Sequence, residues 1–443
     1  MNESIVVREH ARLTTDELPD RSLDYARVST SAFEWLCSLM SLFRKGGASL
    51  AHLENRRCLR LDNYVGVLET PCGTRLEVLP KHFELGDDIN KSRQLLRRMI
   101  LSALDLPVRE VGPADLQLFD APLNEWIIQQ FLIALDHLVK RGVRFDYCRV
   151  EEEKIYLRGQ LDLAKQLRQP LSRRHHFQIR HDVFLADMPE NRLLKLALEI
   201  ACKTTQEPRN WHLGHELRNL LHEIPASSNV WNDFEQWRDD RLLARYQQIK
   251  PWCELILRQQ TPMALTHEWR GISLLFPMEK LFERYVGSIL RKVLLKEASL
   301  KVHAASQYLC EHDGGKVFRL EPDFLVTHSK KRWVLDAKWK RIDAGNKRDS
   351  YDLRQSDFYQ LFAYGHKYLG NQSEGELVLI YPKRPQFMRP LPPFDFSSQL
   401  RLWVLPVDLE HGCIEGIQTT NVPVTRGLTA YGTRVPDERV RTR

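Results

Sequence analysis

One stretch, residues 318–341, constrains the fold of this chain more than any other, with the sequence FRLEPDFLVTHSKKRWVLDAKWKR. Its alternation of apolar and polar residues predicts two adjacent β-strands, residues 317–326 and 332–339, joined by a short basic turn. Side chains alternate along a strand, so Asp336 and Lys338 project from one face of the second strand. If the two strands pair side by side, these two side chains lie close to Asp323 of the first strand.

Asp323, Asp336 and Lys338 together form a set that suits phosphate chemistry. Mg²⁺ prefers oxygen ligands and is usually held by one or two carboxylates plus substrate phosphate. A bound cation can activate an attacking water, and a lysine beside it can orient that water or stabilise the transition state. This spacing therefore predicts a divalent-cation site.

The same three residues also allow a simpler interpretation. Asp323 can mark a break in a strand, while Asp336 and Lys338 form a surface ion pair, because D-x-K tripeptides are common. Residues 333–335 are apolar, however, which indicates a buried strand. Buried charges are generally paired or bound to metal. The residues alone leave both interpretations open.

Chain length and composition are those of an ordinary globular protein. The 443 residues are 43% hydrophobic and 28% charged, which suffices for two or three domains with a sizeable core. The formal net charge of +7 is compatible with a polyanionic partner such as nucleic acid. Basic residues cluster around the predicted site at 330–332, 340–341 and 347–348. They form either a solvated turn or a surface that attracts a nucleic-acid backbone.

Several classes of protein are disfavoured by what the sequence lacks. The eight cysteines are scattered without a C-x-x-C pair, which argues against a zinc site or a disulfide framework and suits a reducing compartment. The N-terminal residues do not have the pattern of a secretory signal, and no apolar run approaches the ~20 residues of a membrane helix. We therefore expect a cytoplasmic protein with no membrane partner. The sequence has no glycine-rich phosphate loop, so we expect the chain itself to bind no nucleotide.

Two predicted helices flank the strand pair. The first, residues 276–295, carries Glu283 beside its apolar face, where it can lean over a sheet edge or pair with basic residues in solvent. The second, residues 352–369, places Gln360 and Tyr364 on one face. These two residues either contact a phosphate or base edge or brace the core, and the pattern favours bracing. Two further apolar strands complete an α–β–β–α–β order.

This order resembles the PD-(D/E)xK nuclease fold. More narrowly, the chain resembles the McrC family, the nuclease subunits of McrBC-type modification-dependent restriction systems. The matching stretches occur in the expected order: YVGVLETPCGTRLEVLPK (64–81), LRGQLDL (157–163), DMPENRLLKLAL (187–198), LLFPMEKLFERYV (274–286), EPDFLV (321–326), VLDAKWK (334–340) and DFYQLFAYGHKY (357–368). Each stretch is weak alone, and the combination is specific.

The resemblance also implies roles for individual residues. Asp323 and Asp336 would bind Mg²⁺, with Mn²⁺ as a substitute, and Lys338 would complete the catalytic set. The remaining matches are Glu283 as the helix glutamate of the motif, and Gln360 and Tyr364 as its accessory helix pair.

We therefore expect an α/β chain, α+β overall, in three parts. Residues 1–265 would form a mixed α+β region that docks onto a McrB-like AAA+ GTPase ring and stimulates its hydrolysis. Residues 266–415 would form the α-β-β-α-β nuclease domain, and residues 416–443 a polar, basic tail. The expected substrate is modified double-stranded DNA, with the modification recognised by the partner. Two alternatives remain open, a non-cleaving adaptor that activates an NTPase ring and a free-standing nuclease of the RecB-like group.

Overall fold

The computed structural model describes residues 4–18, 22–45, 49–81, 88–104, 106, 122–237, 243–258, 274–370 and 375–425. The chain groups into two compact units. The split unit combines Met1–Asp120 with Leu275–Arg443, and the middle unit is Ala121–Leu274. This grouping differs from the predicted division at residue 265, because the first 120 residues group with the C-terminal part of the chain. Among the described residues, no helix has both the length and the apolar character that crossing a membrane requires.

The first segment of the split unit forms two small sheets and two helices within its described residues. Its elements are β1 (Ser4–Arg8), β2 (Arg12–Thr14), β3 (Tyr25–Arg27), α1 (Thr30–Lys45), β4 (Ala51–Asn55), β5 (Cys58–Leu61), β6 (Tyr64–Glu69), β7 (Arg75–Leu79) and α2 (Ile89–Ala103). The Pro-Cys-Gly-Thr turn joins β6 to β7, which pair antiparallel. One sheet has the order β3-β2-β5-β4, and the other joins β1, β7 and β6 to a strand from the C-terminal segment.

The middle unit combines helices with a small antiparallel sheet. Its elements are α3 (Leu123–Lys140), β8 (Asp146–Lys154), β9 (Gln160–Leu161), α4 (Leu163–Leu167), β10 (Phe177–Leu185), α5 (Pro189–Thr204), α6 (Pro208–Leu220), α7 (Val230–Gln236) and α8 (Lys250–Arg258). The sheet has the order β8-β10-β9. Helix α3 ends at Lys140, and Gly142 follows its end with a φ of +88°, a backbone conformation that favours glycine.

The C-terminal segment of the split unit carries the predicted site. Its elements are β11 (Leu274–Pro277), α9 (Met278–Val293), β12 (Ser299–Val302), β13 (Gln307–His312), β14 (Gly315–Leu320), β15 (Phe324–His328), β16 (Lys331–Ala337), α10 (Gln355–Tyr364), β17 (Gly375–Pro382), β18 (Phe394–Asp395), β19 (Leu400–Asp408) and β20 (Cys413–Ile414). A π-helical turn, Gly365–Leu369, continues α10. The central sheet has the order β12-β15-β16-β17-β19-β18, with β20 beside β19.

Helices cover both faces of the central sheet. Leu361 and Tyr364 of α10 lie in one apolar cluster with Leu325 and Val334. Neighbouring strand residues point to opposite faces, so Phe324 points away from this cluster. On that other side, α9 approaches the sheet at Gly287, where an added Cβ would lie 3.0 Å from the Phe324 ring. The sheet is therefore buried on both sides, as the apolar run before Asp336 indicates.

The two strands of the predicted pair differ in detail from the prediction. Residues 317–326 do not form one strand, because β14 ends at Leu320 and β15 begins at Phe324. Pro322 lies between them, and proline has no N–H to donate to a ladder. Strand β16 ends at Ala337 rather than at residue 339. Asp323 therefore precedes its sheet strand, and Lys338 follows its own.

The packed region continues beyond the predicted start of the tail. Residues 416–425 include Val422, which is buried, and Asn421, whose backbone N–H donates to Glu376 Oε2 at 2.8 Å. The backbone N–H of Thr425 donates to the Val293 carbonyl at 2.8 Å. The prediction of a tail from residue 416 is therefore wrong for residues 416–425. Residues 426–443 lie outside the described part of the chain.

Candidate functional site

Strand pairing brings Asp323 and Asp336 together. Strands β15 and β16 are antiparallel, with Phe324 opposite Leu335. Asp323 comes directly before Phe324 and Asp336 directly after Leu335, so both carboxylates lie at the same end of the pair. Asp323 Oδ2 accepts a hydrogen bond of 2.8 Å from the Ala337 backbone N–H. The predicted proximity of the two carboxylates follows from this register.

Asp336 is a buried carboxylate whose ion-pair partner is Lys338. Its side chain is 1% exposed. The Lys338 ammonium forms an ion pair with Oδ2 at 2.5 Å. Its Oδ1 receives no hydrogen bond from a described residue. An ionised carboxylate is costly to bury unless a positive charge lies beside it. Lys338 is shared here between Asp336 and Asp323, so its single charge does not neutralise both acids.

The pKa values of these groups reflect the burial. Burial raises the pKa of Asp336 to about 7, and the neighbouring charge of Asp323 adds to the effect. Burial likewise raises the pKa of Asp323 to about 6, with the charge of Glu283 as the next cause. Burial acts to lower the pKa of Lys338, but the attraction and hydrogen bond of Asp336 together with the charges of Asp323 and Asp357 outweigh it, and the pKa is raised. The site thus has an excess of acid that a divalent cation would relieve.

Glu283 reaches the same site from α9, next to a histidine that the sequence did not indicate. His303 Nε2 lies 3.0 Å from Glu283 Oε1. Glu283, His303 and Asp323 each offer a ligand atom, and these atoms lie within 4.8 Å of one another. Burial raises the pKa of Glu283, and the charges of His303 and Asp336 act in opposite directions on it.

His303 could not be found from a local motif. Strand β12 pairs antiparallel with β15, with Val302 opposite Phe324. This register places His303 beside Asp323, and the His303 backbone N–H donates to the Asp323 carbonyl at 3.0 Å. The only signal in the sequence would have been β12 itself, a short strand that was not predicted.

Gln360 and Tyr364 form a chain of hydrogen bonds that ends near the site. Gln360 Nε2 donates to the Tyr364 hydroxyl at 2.8 Å, and this hydroxyl donates to the Glu321 carbonyl at 3.0 Å. Tyr364 is buried in the core, while Gln360 is exposed. Through its hydrogen bond to Glu321, Tyr364 fixes the backbone two residues before Asp323. The role of Gln360 stays a prediction.

The basic residues predicted around the site divide into two groups. Lys330 belongs to the turn that joins β15 to β16, and its φ of +68° follows one of +47° at Ser329, as in a type I′ hairpin turn. Both carboxylates lie at the opposite end of these strands, so residues 330–332 are remote from the site. Arg341 and residues 347–348 follow Lys338 along the chain and are exposed.

Comparison with known proteins was decisive for the family. The profile of the family described as "McrBC 5-methylcytosine restriction system component" matches residues 59–382. This chain belongs to the McrBC family. The matched range includes every predicted site residue, and the family predicted from the sequence is confirmed.

Solved structures related to the McrBC family have a similar fold. One is a refined half-complex from a tetradecameric assembly of Thermococcus gammatolerans McrB AAA+ hexamers with bound McrC. The similarity has a TM-score of 0.68 at 20% identity and covers 91% of this chain and 94% of the other. A cryo-EM structure of the Thermococcus gammatolerans McrBC complex gives a TM-score of 0.50 at 21% identity over 65% of this chain and 87% of the other. Comparison with curated protein sequences gives no significant match. The mixed α/β fold predicted for this McrBC-family chain is confirmed.

Proposed function

We propose that this McrBC-family chain is the endonuclease subunit of a modification-dependent restriction system. In this proposal it hydrolyses DNA phosphodiester bonds at Asp323, Asp336 and Lys338, a site of the PD-(D/E)xK type. One observation carries the proposal: the Asp336 carboxylate is buried opposite Asp323, its Oδ2 pairs with Lys338, and its Oδ1 has no hydrogen bond from a described residue. A purely structural ion pair would be expected to satisfy both oxygens.

The donor set fits a divalent cation. Asp323, Asp336 and Glu283 offer carboxylate oxygens, the ligands that Mg²⁺ prefers, and those of Asp323 and Glu283 lie within 4.8 Å of each other. The imidazole of His303 adds a nitrogen ligand that first-row transition ions accept, which supports Mn²⁺ as a substitute. When bound, such a cation lowers the pKa of a coordinated water and neutralises charge on the phosphate.

Lys338 supplies the protein's own positive charge. Its ion pair with Asp336 raises its pKa, so it is protonated at neutral pH. A protonated lysine can donate hydrogen bonds to a phosphate oxygen or to the attacking water, but it cannot act as a general base. We therefore assign Lys338 an electrostatic role in stabilising the charge that develops on the phosphate.

The proposal includes an AAA+ GTPase ring as partner. A structure with the same fold over most of this chain contains McrB hexamers with bound McrC. The middle unit is the candidate for such docking, since several large apolar side chains are exposed within residues 147–171. Those that are more than half exposed include Tyr147, Ile155, Leu157, Leu167 and Leu171. In this scheme the ring recognises modified DNA and delivers it to the nuclease site.

The test compares cleavage with motor stimulation. Purified chain is mixed with its GTPase partner, GTP, Mg²⁺ and duplex DNA with or without 5-methylcytosine. Asp336→Ala should reduce cleavage below detection while leaving stimulation of GTP hydrolysis unchanged. Asp349→Ala, which changes an exposed acid in the same segment, should leave both activities unchanged.

Each alternative has its own outcome in this assay. Retained cleavage by the Asp336→Ala variant would refute the proposed site. Stimulated GTP hydrolysis without any cleavage by the wild type would identify an adaptor. Cleavage without partner and nucleotide would identify a free-standing nuclease.

A further inference from the structure

Glu9 is a buried acid in the first segment of the split unit that contacts the C-terminal segment. It directly follows β1 and is 1% exposed. Its Oε1 accepts hydrogen bonds of 2.8 Å from the Trp339 indole N–H and 2.8 Å from the Lys81 backbone N–H. Its Oε2 is buried and receives no hydrogen bond from a described residue. Glu9 and Trp339 are separated by 330 positions in the sequence.

Trp339 belongs to a short segment that the sheet does not hold. Strand β16 ends at Ala337, so Lys338 and Trp339 lie beyond the β16–β17 ladder. One further backbone hydrogen bond, from the Lys338 N–H to the Ile380 carbonyl at 2.9 Å, continues the pairing. After it, the chain is anchored by side chains, Trp339 to Glu9 and Lys340 to Asp357. The path of the chain directly after the Lys338 N–H therefore depends on these anchors.

The Trp339 ring also contacts the other side of the site. It lies 5.2 Å from the Phe282 ring, between centroids, at an interplanar angle of 56°. Phe282 is fully buried and directly precedes Glu283. Trp339 thus follows Lys338 in the chain and contacts the residue that precedes Glu283, and Glu9 accepts the single N–H of its indole.

We propose that Glu9 is a positioning residue for the nuclease site, acting on Lys338 through its hydrogen bond to Trp339. This inference rests on the proposed function. A buried carboxylate is costly, and the neutral oxygen of a glutamine could accept the same two hydrogen bonds. The first segment of the split unit then completes the nuclease site. Residues that hold the groups of an active site in place typically change activity by about 10–100-fold when removed.

Three variants and a matched control test this role in the complete chain with its GTPase partner, GTP and Mg²⁺. Glu9→Ala removes the acceptor, and Trp339→Phe removes the donor while keeping an aromatic ring against Phe282. Glu9→Gln keeps the Oε1 acceptor and puts its NH₂ where no described donor lies. The control is Glu77→Ala, which removes an equally buried acid of the same segment, paired with Arg93 at 2.6 Å.

We expect Glu9→Ala and Trp339→Phe to lower kcat about 10–100-fold with KM for DNA within about twofold of the wild type. The kcat of Glu9→Gln should lie within about threefold of the wild-type value. Glu77→Ala should have the wild-type kcat at temperatures below the Tm of that variant. Cation affinity, measured by calorimetry, should not change in Glu9→Ala because no proposed ligand is altered.

Three results would overturn the inference while the proposed function stands. They are wild-type kcat in Trp339→Phe, an equal loss in Glu77→Ala, or failure of Glu9→Gln to restore kcat. If Glu9→Ala does not fold, Trp339→Phe decides alone, because it breaks the same hydrogen bond from the other side. Absence of cleavage by the wild-type complex would overturn the proposed function and this inference together.

Discussion

Replacement of Asp336 by Asn should stabilise the cation-free protein at pH 8 even though it abolishes cleavage. Asp336 is buried, and burial raises its pKa from 3.8 to about 7. A carboxylate with a higher pKa in the folded chain binds protons more tightly there than in the unfolded chain. The free energy of unfolding therefore falls as pH rises from about 4 to about 7, and the full loss is present at pH 8.

The size of the effect follows from that shift. A change from 3.8 to about 7 is about three pKa units, and at about 1.4 kcal/mol per unit the ionised carboxylate costs at most about 4 kcal/mol. Asn mimics the protonated acid, but its buried amide also lacks partners, which costs about 1–3 kcal/mol. The net gain is then about 2 kcal/mol. For a unit of this size that corresponds to a Tm higher by about 5 °C.

Thermal unfolding with EDTA at pH 5 to 8 measures this difference. The advantage of Asp336→Asn over the wild type should decrease as pH is lowered, because Asp336 becomes protonated in the folded wild type. Added Mg²⁺ should raise the Tm of the wild type and not that of the variant. Asp357→Asn is the control: Asp357 is also buried but accepts two hydrogen bonds of 2.9 Å from Lys340, so its loss should lower the Tm. A lower Tm for Asp336→Asn at pH 8, or equal stabilisation of both proteins by Mg²⁺, would refute the reasoning.

Three other substitutions probe the surroundings of the site. His303→Ala should weaken Mn²⁺ binding about 10-fold by calorimetry if the imidazole is a ligand; unchanged affinity would leave it as the ion-pair partner of Glu283 alone. Tyr364→Phe should cost about 1–2 kcal/mol in chemical denaturation, because its hydroxyl makes two hydrogen bonds, with kcat nearly unchanged; a large loss of kcat would instead indicate contact with the substrate. Gly287→Ala should destabilise the split unit by about 1–3 kcal/mol, because its Cβ would meet Phe324 at 3.0 Å; full stability would show that α9 can move away from the sheet.

Local sequence patterns were sufficient to predict which residues meet at one end of the strand pair, and they left open whether these residues bind a metal. The apolar run before Asp336 indicated a buried strand, and the short basic turn indicated that this strand adjoins the one predicted at residues 317–326; the structure pairs β15 and β16 antiparallel. These features depend on neighbouring residues and on the twofold alternation of a strand. They brought Asp323, Asp336 and Lys338 together correctly.

The remaining parts of the site depend on contacts between distant segments. His303 reaches Asp323 only through the β12–β15 register, and Glu9 meets Trp339 across 330 positions. The grouping of residues 1–120 with the C-terminal part likewise depends on long-range packing, including the sheet that joins β6 to β11. The pattern of apolar and polar residues within one segment does not show which distant segment it contacts. These contacts are therefore not predicted from a single sequence.

The central claim is that Asp323 and Asp336 hold a divalent cation, and anomalous diffraction from crystals grown with Mn²⁺ tests it most directly. The account predicts an anomalous peak at about 2.0–2.6 Å from a carboxylate oxygen of each residue. The peak should be absent from crystals of Asp336→Asn. A wild-type map without a peak, in which Lys338 alone still pairs with Asp336, would contradict the claim.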